Sequence, residues 1–136
     1  MTTTSLPISR AAARTGLVLS GLVVLFLLAD GVSQLLSAPP VISAAAEIGF
    51  PPNPAVWQGI GAVLVASTLL YAIPRTAVFG AVLITGYLGG AICAHVHVRV
   101  GAGAVPPVVI SLVIAAVVWG GLWLRDARVR ALTQAG

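Results

Sequence analysis

Apolar residues along this chain come in four long, nearly unbroken runs, at about residues 15–36, 55–73, 76–96 and 107–124. None alternates as a lipid-facing barrel strand would, and each is close to the roughly 20 residues that cross a hydrocarbon core. Backbone groups in lipid must find partners within their own segment, so runs of this kind are read as helices. The expected fold is all-α: one domain over residues 1–136, a four-helix transmembrane bundle with the lipid bilayer as its surroundings.

The polar breaks support this division. SAPPVISAAAEIGFPPNP (37–54) is proline-rich, carries Glu47 and is read as a loop. The Pro74-Arg75 break is so short that runs two and three should form a tight antiparallel hairpin. VRVGAGAVPP (98–107) joins glycine flexibility to a proline pair suited to starting a helix.

Four crossings place Arg10, Arg14, Arg75, Arg125, Arg128 and Arg130 on one side and only Arg99 on the other. The positive-inside rule then sets both termini in the cytoplasm. Trp57, Trp119 and Trp123 fall near the ends of their runs and are read as interfacial anchors. Arg10 and Arg14, an apolar stretch and SAAAE (43–47) imitate a secretory leader. The stretch exceeds the roughly 7–15 residues of a leader core and contains Asp30, so a retained span is expected.

Composition agrees: 59% of residues are hydrophobic and 7% charged, too few polar side chains to cover a soluble globule. The arginines form no basic stripe interleaved with aromatics, so nucleic acid is not an expected partner. Cys93 is the single cysteine, which excludes an internal disulfide and dithiol chemistry within the chain; set among apolar residues, its thiol should be inert. Gly86 and Gly90, four apart in the third run, are expected to let a neighbouring helix approach closely, with Gly120-Gly121 as a second such contact.

Asp30 is not explained by packing. An ionisable group within a span is costly, by at least about 2.5–3.5 kcal/mol near the centre, and faces protein or water with a partner. Gln34 and Ser37 follow at i+4 and i+7, on the same helix face. The third run ends in GYLGGAICAHVHVRVG (86–101), which brings His95 and His97 to the same half of the membrane as Asp30. At about 100° per residue, His97 shares the sector of Gly86 and Gly90 whereas His95 and Arg99 lie nearly opposite. Helical geometry therefore favours His97 to meet Asp30 or Gln34, while Arg99 is a candidate ion-pair partner for Glu47 in the facing loop. Two histidines spaced by two on a helix cannot aim at one ion, and no further Cys or His exists to complete a set, so no metal site is expected. The candidate polar pocket is Asp30, Gln34, His95 and His97. A histidine beside a carboxylate exchanges protons near neutral pH and hydrogen-bonds an oxygenated ligand. With no set of nucleophile, base and orienting group, the chain is not expected to be a complete enzyme alone.

LSGLVVLFLLADGVSQL (19–35), PRTAVFGAVLITGYLGGAICAHV (74–96) and WGGLWLRD (119–126) resemble the DoxX-like family of small bacterial membrane proteins. The resemblance implies a four-helix protein of the bacterial inner membrane. Its matching positions are Asp30, Pro74, Arg75, Gly86, Gly89, Gly90, His95 and Arg125-Asp126, so family pattern points to His95 where helical geometry points to His97. The wider DoxX group is similar to membrane subunits associated with thiosulfate:quinone oxidoreduction and oxidative-stress complexes. Two readings follow. One is an auxiliary subunit or scaffold whose pocket accommodates a quinone headgroup or small oxyanion while a redox partner protein carries the electron chemistry. The other is a small-molecule carrier or permeation module working as a homo-oligomer.

Overall fold

The computed structural model describes residues 9–51, 53–98 and 105–134. Among them lie six helices: α1 (Arg10–Leu35), α2 (Pro39–Glu47), α3 (Pro54–Ala72), α4 (Ala77–Val98), α5 (Val105–Arg125) and α6 (Ala127–Gln134). The four long helices α1, α3, α4 and α5 are each long and apolar enough to cross a membrane. They correspond to the four apolar runs, with α1 extended toward its start because Ser9 Oγ accepts from Ala12 N–H at 3.1 Å and caps it.

Two helices lie where no span was expected. In the stretch read as a loop, Pro39 and Pro40 occupy the first turn of α2, where a missing amide costs no hydrogen bond, and an alanine run follows. Both flanks of this helix end in the same backbone motif. After α1, Ser37 N–H donates to Gln34 O and Ala38 N–H to Ser33 O; after α2, Gly49 N–H donates to Ala46 O and Phe50 N–H to Ala45 O. The reversing residues are left-handed, Ser37 at φ 49° and Gly49 at φ 71°.

The long helices form a closed ring in which α1 packs on α3 and α5, and α4 packs on α3 and α5. Glycines set three of the four contacts. A Cβ on Gly61 would lie 2.6 Å from Gly31 O, one on Gly16 would lie 2.8 Å from Gly121 O, and Gly80 packs against the backbone of Leu70 and Tyr71. Close approach at small residues is how helices associate where lipid is as apolar as their side chains. The expected close contact at Gly86 and Gly90 is not made among the described residues: a Cβ on Gly86, Gly90 or Gly120 would meet none of them within 4 Å, while Gly121 does face α1. The inner face of α4 is instead Ala77, Gly80, Ala81, Ile84 and Leu88.

The core between the helices includes Leu27, Leu64, Tyr71, Ile84, Val118 and Leu122. The outside is equally apolar, with Leu22 at 61% and Leu25 at 68% exposure, as expected where the outer medium is lipid. At the end of the bundle where α1 begins and α5 ends, a buried polar chain ties three helices. Tyr71 donates to Val118 O at 2.8 Å, so Ser20 Oγ at 3.0 Å is left as the donor to Tyr71 Oη. Arg125 Nη2 donates to Tyr71 O at 2.9 Å and its guanidinium sits 4.8 Å from the Tyr71 ring centre.

Candidate functional site

The opposite end of the bundle gathers the C-terminal part of α1, all of α2, the start of α3, the end of α4 and the start of α5. Asp30 and Gln34, one turn apart on α1, are joined by a 3.0 Å hydrogen bond from Gln34 Nε2 to Asp30 Oδ2. Tyr87 on α4 closes a triangle, accepting from Gln34 Nε2 at 2.8 Å and donating to Asp30 Oδ2 at 3.3 Å. The carboxylate fixes the amide's orientation: a flipped Gln34 would set its carbonyl oxygen against Asp30.

This triangle lies on the wall of a cavity of about 920 Å³. Apolar side chains make up most of the lining, Phe26, Leu27, Val41, Ile60, Leu88 and Ile110 among them. Trp57 also lines it, packed edge-on against Phe50 with ring centres 5.6 Å apart. Trp57 and Gly61 share a face of α3 at i and i+4, and Gln34 Cβ lies 2.9 Å from where a Gly61 Cβ would stand. The register therefore brings Gln34 and Trp57 to neighbouring turns. Both are buried, and among the described residues Gln34 Oε1 and Trp57 Nε1 have no hydrogen-bond partner. Each such atom costs about 1–3 kcal/mol left unpaired.

The candidate residues divide. Asp30, Gln34 and His95 share the cavity lining, whereas His97 is exposed and does not line it. The helical argument for His97 took the glycine sector as the packed one; α4 turns a different face inward, and Leu88, Ala91 and His95 follow along that face at i, i+3 and i+7. His95 Nδ1 lies 2.8 Å from Ala91 O, which can only accept, so Nδ1 carries the hydrogen and a neutral ring keeps its lone pair on Nε2. Ser37 lies outside the helix as its reversing residue. Glu47 ends α2 and is exposed; Arg99, its proposed partner, falls outside the described residues. Cys93 is exposed rather than enclosed among apolar residues. Among the described residues no group of three His, Cys, Asp or Glu is placed to hold a metal ion.

Two residues of the site escaped the sequence reading. Trp57 was taken as an interfacial anchor, but it stands on the inner face of α3 and is buried. Tyr87 carried a signal of its own: a phenol within a span, away from the interface, needs a hydrogen-bond partner. Trp123 does lie toward the outside, its indole donating to Thr133, whereas Trp119 is half-buried against the core and donates to Thr85 of α4.

A large, mostly apolar volume with one carboxylate held between an amide and a phenol on its wall can hold a small molecule. No curated protein and no solved structure matches the chain. The model of the DoxX-like family matches residues 18–120, from the first turns of α1 to near the end of α5 and so across every residue of the cavity wall named above. This multi-pass membrane protein belongs to the DoxX-like family.

Proposed function

We propose that the protein is an auxiliary membrane subunit or scaffold of a quinone-linked or stress-related redox complex, and that its own part is to hold a lipid-soluble ligand in the cavity. The observation that carries this reading is the hydrogen-bonded cluster of Asp30, Gln34 and Tyr87 on the wall of an apolar cavity of about 920 Å³. That volume lies in the range of pockets for drug-sized molecules, roughly 300–1,000 Å³.

A quinone headgroup would sit against the polar edge of Asp30, Gln34 and Tyr87, and the apolar lining suits a hydrocarbon tail. A bound quinone would supply two-electron redox chemistry; the chain's own residues bind and orient it and exclude water, and a partner protein carries the other redox centre. In this reading the arginine-rich end, where α1 begins and α5 ends, faces the cytoplasm of a bacterial inner membrane, and the cavity lies in the outer half. Six of seven arginines on one side support that orientation.

The test is extraction of protein purified from native membranes. Quinone is expected to accompany the wild type and to be depleted in a folded Asp30→Asn variant. Equal quinone in both, or none in either, overturns the reading. Solute flux in liposomes lacking any electron acceptor would make the protein a carrier instead.

A further inference from the structure

We infer that the cavity takes lipophilic organic cations, molecules with an apolar body and one ammonium centre, and favours them over uncharged or anionic molecules of similar size. This rests on the reading that the cavity holds a lipid-soluble ligand, and adds to the quinone a second chemical class of occupant.

The inference follows from charge. Asp30 is half-buried and is the only carboxylate of the cavity lining. Its Oδ2 accepts from Gln34 and Tyr87, both neutral groups. The second oxygen, Oδ1, accepts from no described residue and, unlike Gln34 Oε1 and Trp57 Nε1, is not enclosed by its neighbours. The arginines within the described residues gather at the opposite end of the bundle, at the start of α1, beside Pro74 and from the end of α5 onward. His95, the one base of the lining, points its Nδ1 hydrogen at Ala91 O and is uncharged while Nε2 keeps its lone pair. A carboxylate therefore stands on the wall with two hydrogen bonds and, among the described residues, no counter-ion.

A charge in mostly apolar surroundings is costly unless an opposite charge pairs with it. A compact ion would bring its own desolvation cost into such a volume, whereas an ammonium shielded by carbon has little hydration to lose. Attraction between opposite charges needs no shared hydrogen bond and falls only as the inverse of distance where water is excluded, so the ammonium is held without touching Oδ1. The rest of the lining suits the same class. Phe26, Phe50, Trp57 and Tyr87 all contribute to it, and aromatic faces attract cations. An anion would meet Asp30 as a like charge and is rejected by the same arrangement.

The test uses the full chain in nanodiscs of zwitterionic lipid and three probes: phenylbutyltrimethylammonium, its uncharged analogue with carbon in place of the nitrogen, and phenylbutanesulfonate. Calorimetric titrations are run at about pH 8, where imidazole is uncharged, and corrected for partitioning into empty nanodiscs. The cation is expected to bind at least about tenfold more tightly than the uncharged analogue, equivalent to about 1.4 kcal/mol, and the sulfonate more weakly than either. Asp30→Asn keeps the size of the side chain and is expected to bring the cation and its analogue to the same affinity. The probe series on the wild type needs no variant to fold. Equal affinity of the wild type for cation and analogue, or a preference that persists in folded Asp30→Asn, overturns the charge selectivity and leaves a ligand-binding cavity standing. Binding of none of the three probes removes this inference, while the quinone reading stands or falls on its own extraction.

Discussion

Gln34 Nε2 lies 3.0 Å from Asp30 Oδ2 and 2.8 Å from Tyr87 Oη, so one buried amide holds the only acidic side chain of the membrane-spanning helices against a second helix. Among the described residues Asp30 thus draws its hydrogen bonds from an amide and a phenol rather than a cation. Replacing it by Asn keeps the size and an acceptor oxygen for Gln34, so helicity and assembly are expected to survive. Thermal unfolding in nanodiscs should shift by no more than the equivalent of about 1–2 kcal/mol, the scale of one altered polar contact. Loss of folded protein would show that the carboxylate's charge, not its shape, holds this end together.

Tyr87→Phe removes an oxygen that both accepts and donates. Interhelical hydrogen bonds in membrane proteins are modest, averaging about 0.6 kcal/mol, so the two together are expected to contribute about 1–2 kcal/mol. Unfolding in mixed micelles measures this directly. A null effect would mean that Gln34 and Asp30 re-pair without the phenol.

The glycines make a sharper contrast. Gly61→Ala drives a methyl toward Gly31 O and Leu35 N and is expected to destabilise by about 1–3 kcal/mol through forced separation of α1 and α3. Gly86→Ala meets nothing and is expected to be neutral or to stabilise by up to about 1 kcal/mol, since alanine is the better helix former. A larger loss at Gly86 than at Gly61 would contradict the packing described for α4.

These two positions also show what could be read from the chain by itself. Spans were legible because burial in lipid requires runs of fixed length, a demand that every residue in a run reports. Helix faces were not. With the outward face as apolar as the inward one, nothing in the pattern says which glycines touch a neighbour, and Gly86 is indistinguishable from Gly61 until the helices are placed. The same ambiguity left both His95 and His97 as candidates. Asp30 and Gln34 were legible because polarity within a span is costly and their spacing puts them on one face. Trp57 was not, because an indole at a span end serves equally as an anchor outside or a donor within.

Ser37 takes a left-handed conformation that glycine adopts without strain. Its hydroxyl accepts only a long 3.5 Å contact from Gln58. Ser37→Gly is therefore expected to raise stability by about 0.5–1 kcal/mol, and Ser37→Val to lower it. Thermal melts of the two variants in one detergent, run beside the wild type, give the comparison; a destabilised Ser37→Gly would assign the Gln58 contact more weight than its length warrants.

At the other end of the bundle, the charge of Asp126 stabilises the start of α6. Its carboxylate accepts from Arg128 Nη2 at 2.7 Å, from Arg128 Nε at 3.1 Å and from the Arg128 backbone N–H at 2.9 Å. The Arg128 side-chain bonds lower its pKa most, burial opposes them, and the backbone bond adds a lesser lowering, so that the net value lies below that of an ordinary carboxylate. A depressed pKa in the folded state means that the stabilisation is fully present above the unfolded carboxylate's pKa, about 3.9, and disappears as pH falls through the lower folded value. Asn caps a helix as well as Asp does, so Asp126→Asn isolates the charge from the cap. The wild type is expected to melt slightly above this variant, by a margin constant from neutral pH down to about 5 and closing below about 4. Asp126→Ala, which removes the cap as well, should stay less stable than Asp126→Asn at every pH. A margin between wild type and Asp126→Asn that widened on acidification would show that the carboxylate is destabilising in the folded protein, and that Arg128 is held in place by its bond to Pro74 O instead.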